Sequence, residues 1–77
     1  MATDAPSLTP AEKIDKNFTD HPPKNGQMER YVDIRAAAKT LALLIAAKTP
    51  YSREQSLALT NLEQAVFWAN AAIARNE

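Results

Sequence analysis

Two long stretches with apolar residues at helical spacing constrain this sequence more than any other feature. Each stretch repeats its apolar side chains at alternating intervals of three and four residues, which is typical of an amphipathic helix. The first stretch, from Gln27 to about Lys48, contains Tyr31, Ile34, Ala38, Leu41 and Ile45. The second, from Ser52 almost to the last residue, contains Leu59, Leu62, Val66, Ala69 and Ile73. Only a short break at Thr49-Pro50-Tyr51 separates the stretches, so we expect an antiparallel helical hairpin.

The residues before this hairpin have a different character, with four of the five prolines and the only glycine. Thr9 and Glu12 form a capping-box pattern around Pro10, which predicts a short helix from Pro10 to about Lys16. Asn25-Gly26 predicts a turn. A second capping-box pattern, Ser52 with Gln55, predicts the start of the last helix. The fold class is therefore all-α, with an N-terminal arm and short helix in residues 1–17 and a hairpin domain in residues 18–77.

Many apolar side chains lie outside the two stripes and widen the apolar surface beyond what one partner helix covers. They are Val32, Leu43, Leu44, Leu57, Phe67, Trp68 and Ala72. A chain of 77 residues without cysteine has no disulfide to stabilise it, and a core of this size contributes only about 3–5 kcal/mol. We therefore expect self-association into a compact homo-oligomer. The alternative is that the N-terminal arm covers the extra apolar surface.

Charge and composition exclude several classes of function. Nine Lys and Arg balance nine Asp and Glu, so the chain lacks the positive field used for non-specific binding of DNA. The longest apolar run, residues 40–47, is far shorter than the about 20 residues that span a bilayer, and we read no signal peptide or membrane anchor. With no cysteine and a lone histidine there is no thiolate or His-rich metal site, and no nucleophile with an adjacent base can be picked out. We expect binding without turnover, and no cofactor.

A local excess of positive charge lies in the middle of the chain. Between Ile34 and Arg53 there are four basic residues and no acidic one: Arg35, Lys39, Lys48 and Arg53. Arg35 and Lys39 are four residues apart on one helix face, where an anion bridging them would relieve their repulsion. The alternative is an ordinary solvated face.

Aromatic and basic residues cluster around the start of the first long helix. Tyr31 lies one turn before Arg35, Arg30 precedes it, and the segment with His21 must pass nearby. Free N–H groups at a helix start, an aromatic ring and guanidinium groups suit the phosphate and base of a nucleotide. Alternatively, Tyr31 belongs to the core and His21 is a loop histidine.

The last helix contains a second unusual segment, residues 68–75. Alanines surround Asn70 in it, and it ends at Arg75. Asparagine is unfavourable inside a helix and usually makes a specific hydrogen bond when buried. Asn70 therefore either fixes the register of an oligomer or contacts a ligand. Arg75 near the helix end either complements the helix dipole or binds an anion.

The residues of the second helix resemble the terminal signature of the phage anti-CBASS cyclic-nucleotide sponge family, whose helical hairpin domain is shared with the Thoeris anti-defence sponges. The resemblance covers about Phe18 to Glu77. It is carried most specifically by Trp68-Ala69-Asn70-Ala71-Ala72-Ile73-Ala74-Arg75. Upstream it includes His21-Pro22-Pro23, Gln27, Arg30-Tyr31, Ile34-Arg35 and Ala37-Ala38-Lys39.

The resemblance implies a phage protein that assembles into a homohexamer and sequesters cyclic oligonucleotide immune signals without cleaving them. Such a protein would act in the cytoplasm of the infected bacterial cell, where it would block activation of CBASS effectors. The expected ligands are cyclic dinucleotides such as cGAMP, and cyclic trinucleotides in separate pockets. The ligand-binding residues implied or expected are His21, Pro22, Pro23, Arg30, Tyr31, Arg35, Lys39, Arg53 and Arg75.

One position departs from the family pattern. Asp20 stands where members that bind dinucleotides tend to have an aromatic residue, and a carboxylate there repels phosphate. Phe18 or Tyr31 would then take over the stacking, or the preference would move to cyclic trinucleotides or cyclic ADP-ribose isomers. Rival hypotheses are a structural module that binds an acidic protein through Arg35 and Lys39, a helical protein that binds nucleic acid, and an enzyme that degrades cyclic nucleotides.

Overall fold

The computed structural model describes residues 7–77 and contains three helices. Helix α1 spans Pro10–Asn17, α2 spans Gln27–Lys48 and α3 spans Arg53–Asn76. No strand occurs within the described residues. Because α2 and α3 pack against each other along the hairpin, the prediction of an all-helical hairpin is confirmed. None of these helices has an apolar stretch long enough to cross a membrane.

The ends of the helices follow from the local sequence. At the start of α1, the Thr9 hydroxyl accepts from the Glu12 N–H at 3.2 Å and the Glu12 carboxylate accepts from the Thr9 N–H at 2.8 Å, so this capping box is complete. Gly26, the residue before α2, has a φ of 82°, a conformation that favours glycine. The predicted turn at Asn25-Gly26 is therefore confirmed.

The predicted capping box of α3 is only half formed. The Ser52 hydroxyl accepts from the Gln55 N–H at 3.1 Å, but the Gln55 side chain does not return to Ser52. Instead, its Nε2 donates to the Thr49 carbonyl at 3.1 Å. The carbonyls at the end of α2 lack helical partners and compete successfully for this donor. Gln55 therefore closes the turn of the hairpin.

The seam between α2 and α3 differs from the predicted stripes at one position. Tyr31, Ile34, Ala38 and Ile45 are half-buried, as expected, whereas Leu41 is 44% exposed. Ala42 takes its place in the seam. Its small side chain lets the two helices approach there, and the larger Leu41 lies at the edge. On α3, all five predicted stripe residues are half-buried or buried.

The single chain has very little core. Ile73 is the only buried hydrophobic residue among residues 7–77. The apolar side chains outside the stripes remain exposed, and the two most exposed on α3 are Phe67 at 67% and Trp68 at 68%. The described part of the N-terminal arm, residues 7–17, does not cover them, and the rest of the arm lies outside the described residues. We call the side chains Leu43, Leu44, Leu57, Phe67 and Trp68 the exposed apolar surface.

Candidate ligand-binding site

A cavity of about 480 Å³ lies at the open end of the hairpin, where the start of α2 and the end of α3 meet the connecting segment, residues 18–26. We call it the open-end pocket. Three separate parts of the chain contribute to its walls. The lining residues are Thr19, Asp20, His21, Met28, Tyr31, Val32, Arg35, Asn70, Ala71, Ala74 and Arg75.

The open-end pocket brings together four of the residues that the sequence proposed for ligand binding: His21, Tyr31, Arg35 and Arg75. Arg75 shares this cavity with Arg35, and it also lines a separate cavity of about 410 Å³ beside Phe67 and Trp68. Both arginines therefore line the same space from two different helices. A guanidinium group binds phosphate through two parallel N–H donors, and an aromatic ring provides a stacking surface for a base.

A second cavity, also of about 480 Å³, lies along the seam of the hairpin, and we call it the seam groove. Its floor is apolar, with Ala38, Ala42, Leu59, Leu62, Val66 and Phe67. Arg35, Lys39 and Glu63 complete its lining. Arg35 thus lines both cavities, whereas Lys39 lines only this one. The two basic residues share a helix face as expected and both line the seam groove, and of the two only Arg35 also lines the open-end pocket.

His21 forms part of the pocket wall and is held by the end of α1. Its Nε2 lies 2.6 Å from the Lys16 carbonyl oxygen. A carbonyl only accepts, so Nε2 must carry the proton in this hydrogen bond. The ring is half-buried. Pro22 and Pro23 follow it, are exposed and do not line the open-end pocket. Proline favours an extended connecting segment, and the role of these two residues in binding stays a prediction.

A cluster of polar side chains ties the connecting segment and α2 to the end of α3, and we call it the clasp. Gln27 is its centre and is only 3% exposed. Its Oε1 accepts from the Lys24 N–H at 2.9 Å, and its Nε2 donates to the Ile73 carbonyl at 3.4 Å. The sequence placed Gln27 at a helix start but gave no sign that it is buried.

The outer part of the clasp is a salt bridge between Arg30 and Glu77, in which both guanidinium NH groups donate to the carboxylate. Hydrogen bonds from Arg30, with smaller contributions from Gln27 and Lys24, lower the pKa of Glu77 from 4.5 to about 2. Lys16 Nζ adds a hydrogen bond of 2.7 Å to Asn76 Oδ1. Arg30 therefore holds the clasp together and does not line the pocket that it was expected to join.

Asn70 of α3 is a lining residue of the open-end pocket, and its side chain contains one unusual atom. Its Oδ1 is buried and has no hydrogen-bond donor within the part of the chain that the structure describes. An acceptor left in this state usually costs about 1–3 kcal/mol. The sequence singled out Asn70 for its position inside a helix, and the structure gives it the same two possible roles, at the ligand or at a partner copy.

Residues 10–74, most of the chain, match the protein family described as Acb2/Tad1, hairpin domain. The chain belongs to this family. It is the anti-CBASS and anti-Thoeris sponge family of phage anti-defence proteins that bind cyclic nucleotide signals, and the resemblance drawn from the sequence is confirmed. No curated protein and no solved structure matches the chain.

Membership in the sponge family covers all three helices, since the match begins at the first residue of α1. The resemblance read from individual residues began only at about Phe18. The division of the chain at residues 17 and 18 stays a prediction. Because the family match begins at Pro10, it includes α1, the helix whose last turn holds His21 in place.

Arg53 is a candidate residue of the sponge hairpin that lines neither the open-end pocket nor the seam groove. It begins α3 at the closed end, about 33 Å along the helix from Arg75 at 1.5 Å per residue. The charge run in the sequence linked Arg53 with Arg35, but the antiparallel hairpin separates them. Its role in binding stays a prediction.

Proposed function

We propose that this chain is a non-catalytic sponge that sequesters cyclic oligonucleotide immune signals, namely cyclic dinucleotides, cyclic trinucleotides or both. It would act in the cytoplasm of an infected bacterial cell and block activation of CBASS effectors. The observation that carries this proposal is the open-end pocket, in which Arg35, Arg75 and Tyr31 surround one cavity. Phosphate would lie against the guanidinium groups and a base against the aromatic ring.

Binding without cleavage is supported by the groups that line the pocket. Strand-breaking chemistry needs a nucleophile activated by a neighbouring base. The histidine of the pocket uses its Nε2 to hold the Lys16 carbonyl, and the remaining polar groups are arginines, a tyrosine, a threonine, an asparagine and one carboxylate. This set suits tight binding of an anion better than hydrolysis.

We further propose that the sponge is a homohexamer. The exposed apolar surface supports assembly, because burial of a large apolar side chain contributes about 1.5–3 kcal/mol, from which the entropy of association is subtracted. Open cavities such as the seam groove would become enclosed when another copy covers them. Assembly would also bring the basic residues of several chains together around one ligand.

A second candidate ligand is a cyclic ADP-ribose isomer, the signal that an anti-Thoeris sponge would take. The presence of Arg35 and Arg75 in one cavity favours it, since two guanidinium groups match two adjacent phosphates. The structural alternative, a module that binds an acidic protein through Arg35 and Lys39, predicts no affinity for any of these small ligands.

The test is retention of ligand by the purified protein. The protein is mixed with cyclic di- and trinucleotides and cyclic ADP-ribose isomers, freed of unbound ligand and denatured, and the released molecules are identified by mass. Recovery of an intact ligand supports the sponge and identifies its signal. Recovery of cleaved ligand would contradict it, and no retained ligand from a folded protein would favour the module for an acidic partner.

Two variants and one control connect the retained ligand to the open-end pocket. We expect Arg35→Ala and Arg75→Ala each to weaken binding about 10- to 100-fold, because hydrogen bonds to charged groups contribute about 1.5–3 kcal/mol. Lys48→Ala removes the same charge at the end of α2, outside both cavities, and should bind like the parent. Equal affinity of all three variants would remove this assignment of the site.

A further inference from the structure

The open-end pocket is lined by one acidic residue, Asp20, together with two arginines. The carboxylate of Asp20 makes no ion pair, because Arg30–Glu77 is the only one within residues 7–77. An ionised carboxylate only accepts hydrogen bonds and offers nothing to a phosphate. Its place in an anion pocket therefore requires an explanation beyond charge attraction.

The charges of the lining residues suggest which ligand would fit the open-end pocket. Arg35 and Arg75 contribute two positive charges and Asp20 one negative charge, so these three side chains together leave one net positive charge. One phosphodiester carries a single negative charge and balances this net charge. The cavity volume of about 480 Å³ lies within the roughly 300–1,000 Å³ of small-molecule sites. Charge and volume thus both suit a single nucleotide unit.

A nucleotide unit offers a donor that suits Asp20. The hydroxyl of a ribose that is not part of a phosphodiester lies next to the phosphate, and it donates well to a carboxylate. Acidic side chains bind ribose hydroxyls in this way in dinucleotide sites of another fold. A deoxyribose lacks this donor and would leave only repulsion between Asp20 and the phosphate.

We propose that the open-end pocket holds one ribonucleotide unit, with its phosphate at Arg35 and Arg75 and a free ribose hydroxyl donating to Asp20. This inference rests on the proposed function and deepens it. Asp20 makes the sponge selective for ribose over deoxyribose. The acidic residue that looks unfavourable for phosphate binding becomes the group that recognises the sugar.

The experiment is a calorimetric comparison of cyclic di-AMP and cyclic tri-AMP with their 2′-deoxy counterparts, on the parent and on Asp20→Ala. The parent should bind each ribose ligand about 10-fold or more tightly than its deoxy counterpart, the scale of one charged hydrogen bond. Asp20→Ala should lose about 10-fold in affinity for the ribose ligand and bind the deoxy ligand at least as tightly as the parent does. The preference for ribose over deoxyribose should therefore disappear in Asp20→Ala.

Each other result contradicts the inference in a recognisable way. If Asp20 only repels phosphate, Asp20→Ala will bind both sugars more tightly by the same factor. If Asp20 is a bystander, the variant will keep the affinities of the parent. If the parent binds ribose and deoxyribose ligands equally, only this inference fails. If it binds none of these four and also retains no cyclic nucleotide from the panel described above, the proposed cyclic-nucleotide function fails with it.

Two further variants separate recognition from simple loss of charge. Asp15→Ala removes an exposed carboxylate from α1, outside the pocket, and should retain the full preference for ribose. Asp20→Asn removes the charge but keeps one acceptor oxygen, so it should retain part of the preference. An Asp15→Ala variant that loses the preference as fully as Asp20→Ala would show that the effect is one of overall charge.

Discussion

Replacement of Gln27 by leucine tests whether the clasp stabilises the open end of the hairpin and positions the wall of the pocket. Gln27 is 3% exposed, and its side chain joins Lys24 of the connecting segment to Ile73 of α3. Leucine fills a similar volume but makes none of these hydrogen bonds. The connecting segment, which carries Asp20 and His21, would then lose its main polar attachment to the hairpin.

The loss of stability expected for Gln27→Leu follows from the individual hydrogen bonds of Gln27. The bond from the Lys24 N–H is 2.9 Å long and contributes about 1 kcal/mol, whereas the 3.4 Å contact to the Ile73 carbonyl contributes less. Leaving the Lys24 N–H without its acceptor adds a penalty, so we expect Gln27→Leu to lower the free energy of unfolding by about 2 kcal/mol. For a chain of this size that is a fall in Tm of about 10 °C.

The assay is thermal and urea unfolding followed by circular dichroism at one fixed protomer concentration, since assembly makes Tm depend on concentration. Gln64→Leu, a change of the same type at an exposed position of α3, is the control and should alter stability by less than about 0.5 kcal/mol. Hydrogen exchange should accelerate at residues 19–21 in Gln27→Leu alone. An unfolding free energy equal to that of the parent, with unchanged exchange, would refute the role given to the clasp.

Three further predictions concern the same elements. The pKa of Glu77 is lowered from 4.5 to about 2, so its salt bridge should stabilise the fold fully above about pH 4.5 and be lost as the pH falls toward 2. In an NMR titration, Arg30→Ala should return the Glu77 midpoint to near 4.5, and an unchanged midpoint would exclude Arg30 as the cause. Asn70→Leu should raise the free energy of unfolding by about 1 kcal/mol in urea, because it removes a buried acceptor without a donor. A loss of stability with a change of oligomeric mass would instead show that a partner copy supplies the donor. Trp68→Ala should shift assembly, measured by light scattering, to at least about tenfold higher protomer concentration, and an unchanged oligomer would contradict the role given to the exposed apolar surface.

The two seam stripes show how accurately apolar periodicity predicts which residues lie between the helices. All five residues predicted on α3 lie in the seam, whereas on α2 Leu41 gives way to Ala42. Periodicity of apolar residues identifies a helix and its approximate buried face. It does not decide which of two adjacent apolar residues points inward, because that depends on how closely the partner helix approaches.

The sequence by itself determined the helices, their ends and the hairpin, because these depend on interactions between residues at most a few positions apart. Thr9 with Glu12, Gly26, and the break at Pro50 are local signals of this kind. Family membership was also readable from the sequence, since it is carried by a run of residues on one helix.

Only the tertiary structure decided which distant residues share a site. It placed Arg75 in the same cavity as Arg35, paired Arg30 with Glu77, buried Gln27 and left Arg53 at the far end of the hairpin. The structure thus brings together residues 40 or more positions apart, and it separates Arg53 from Arg35, which the charge run had linked. Their geometry is set by the antiparallel packing of two helices, and no local pattern of charge or hydrophobicity encodes it.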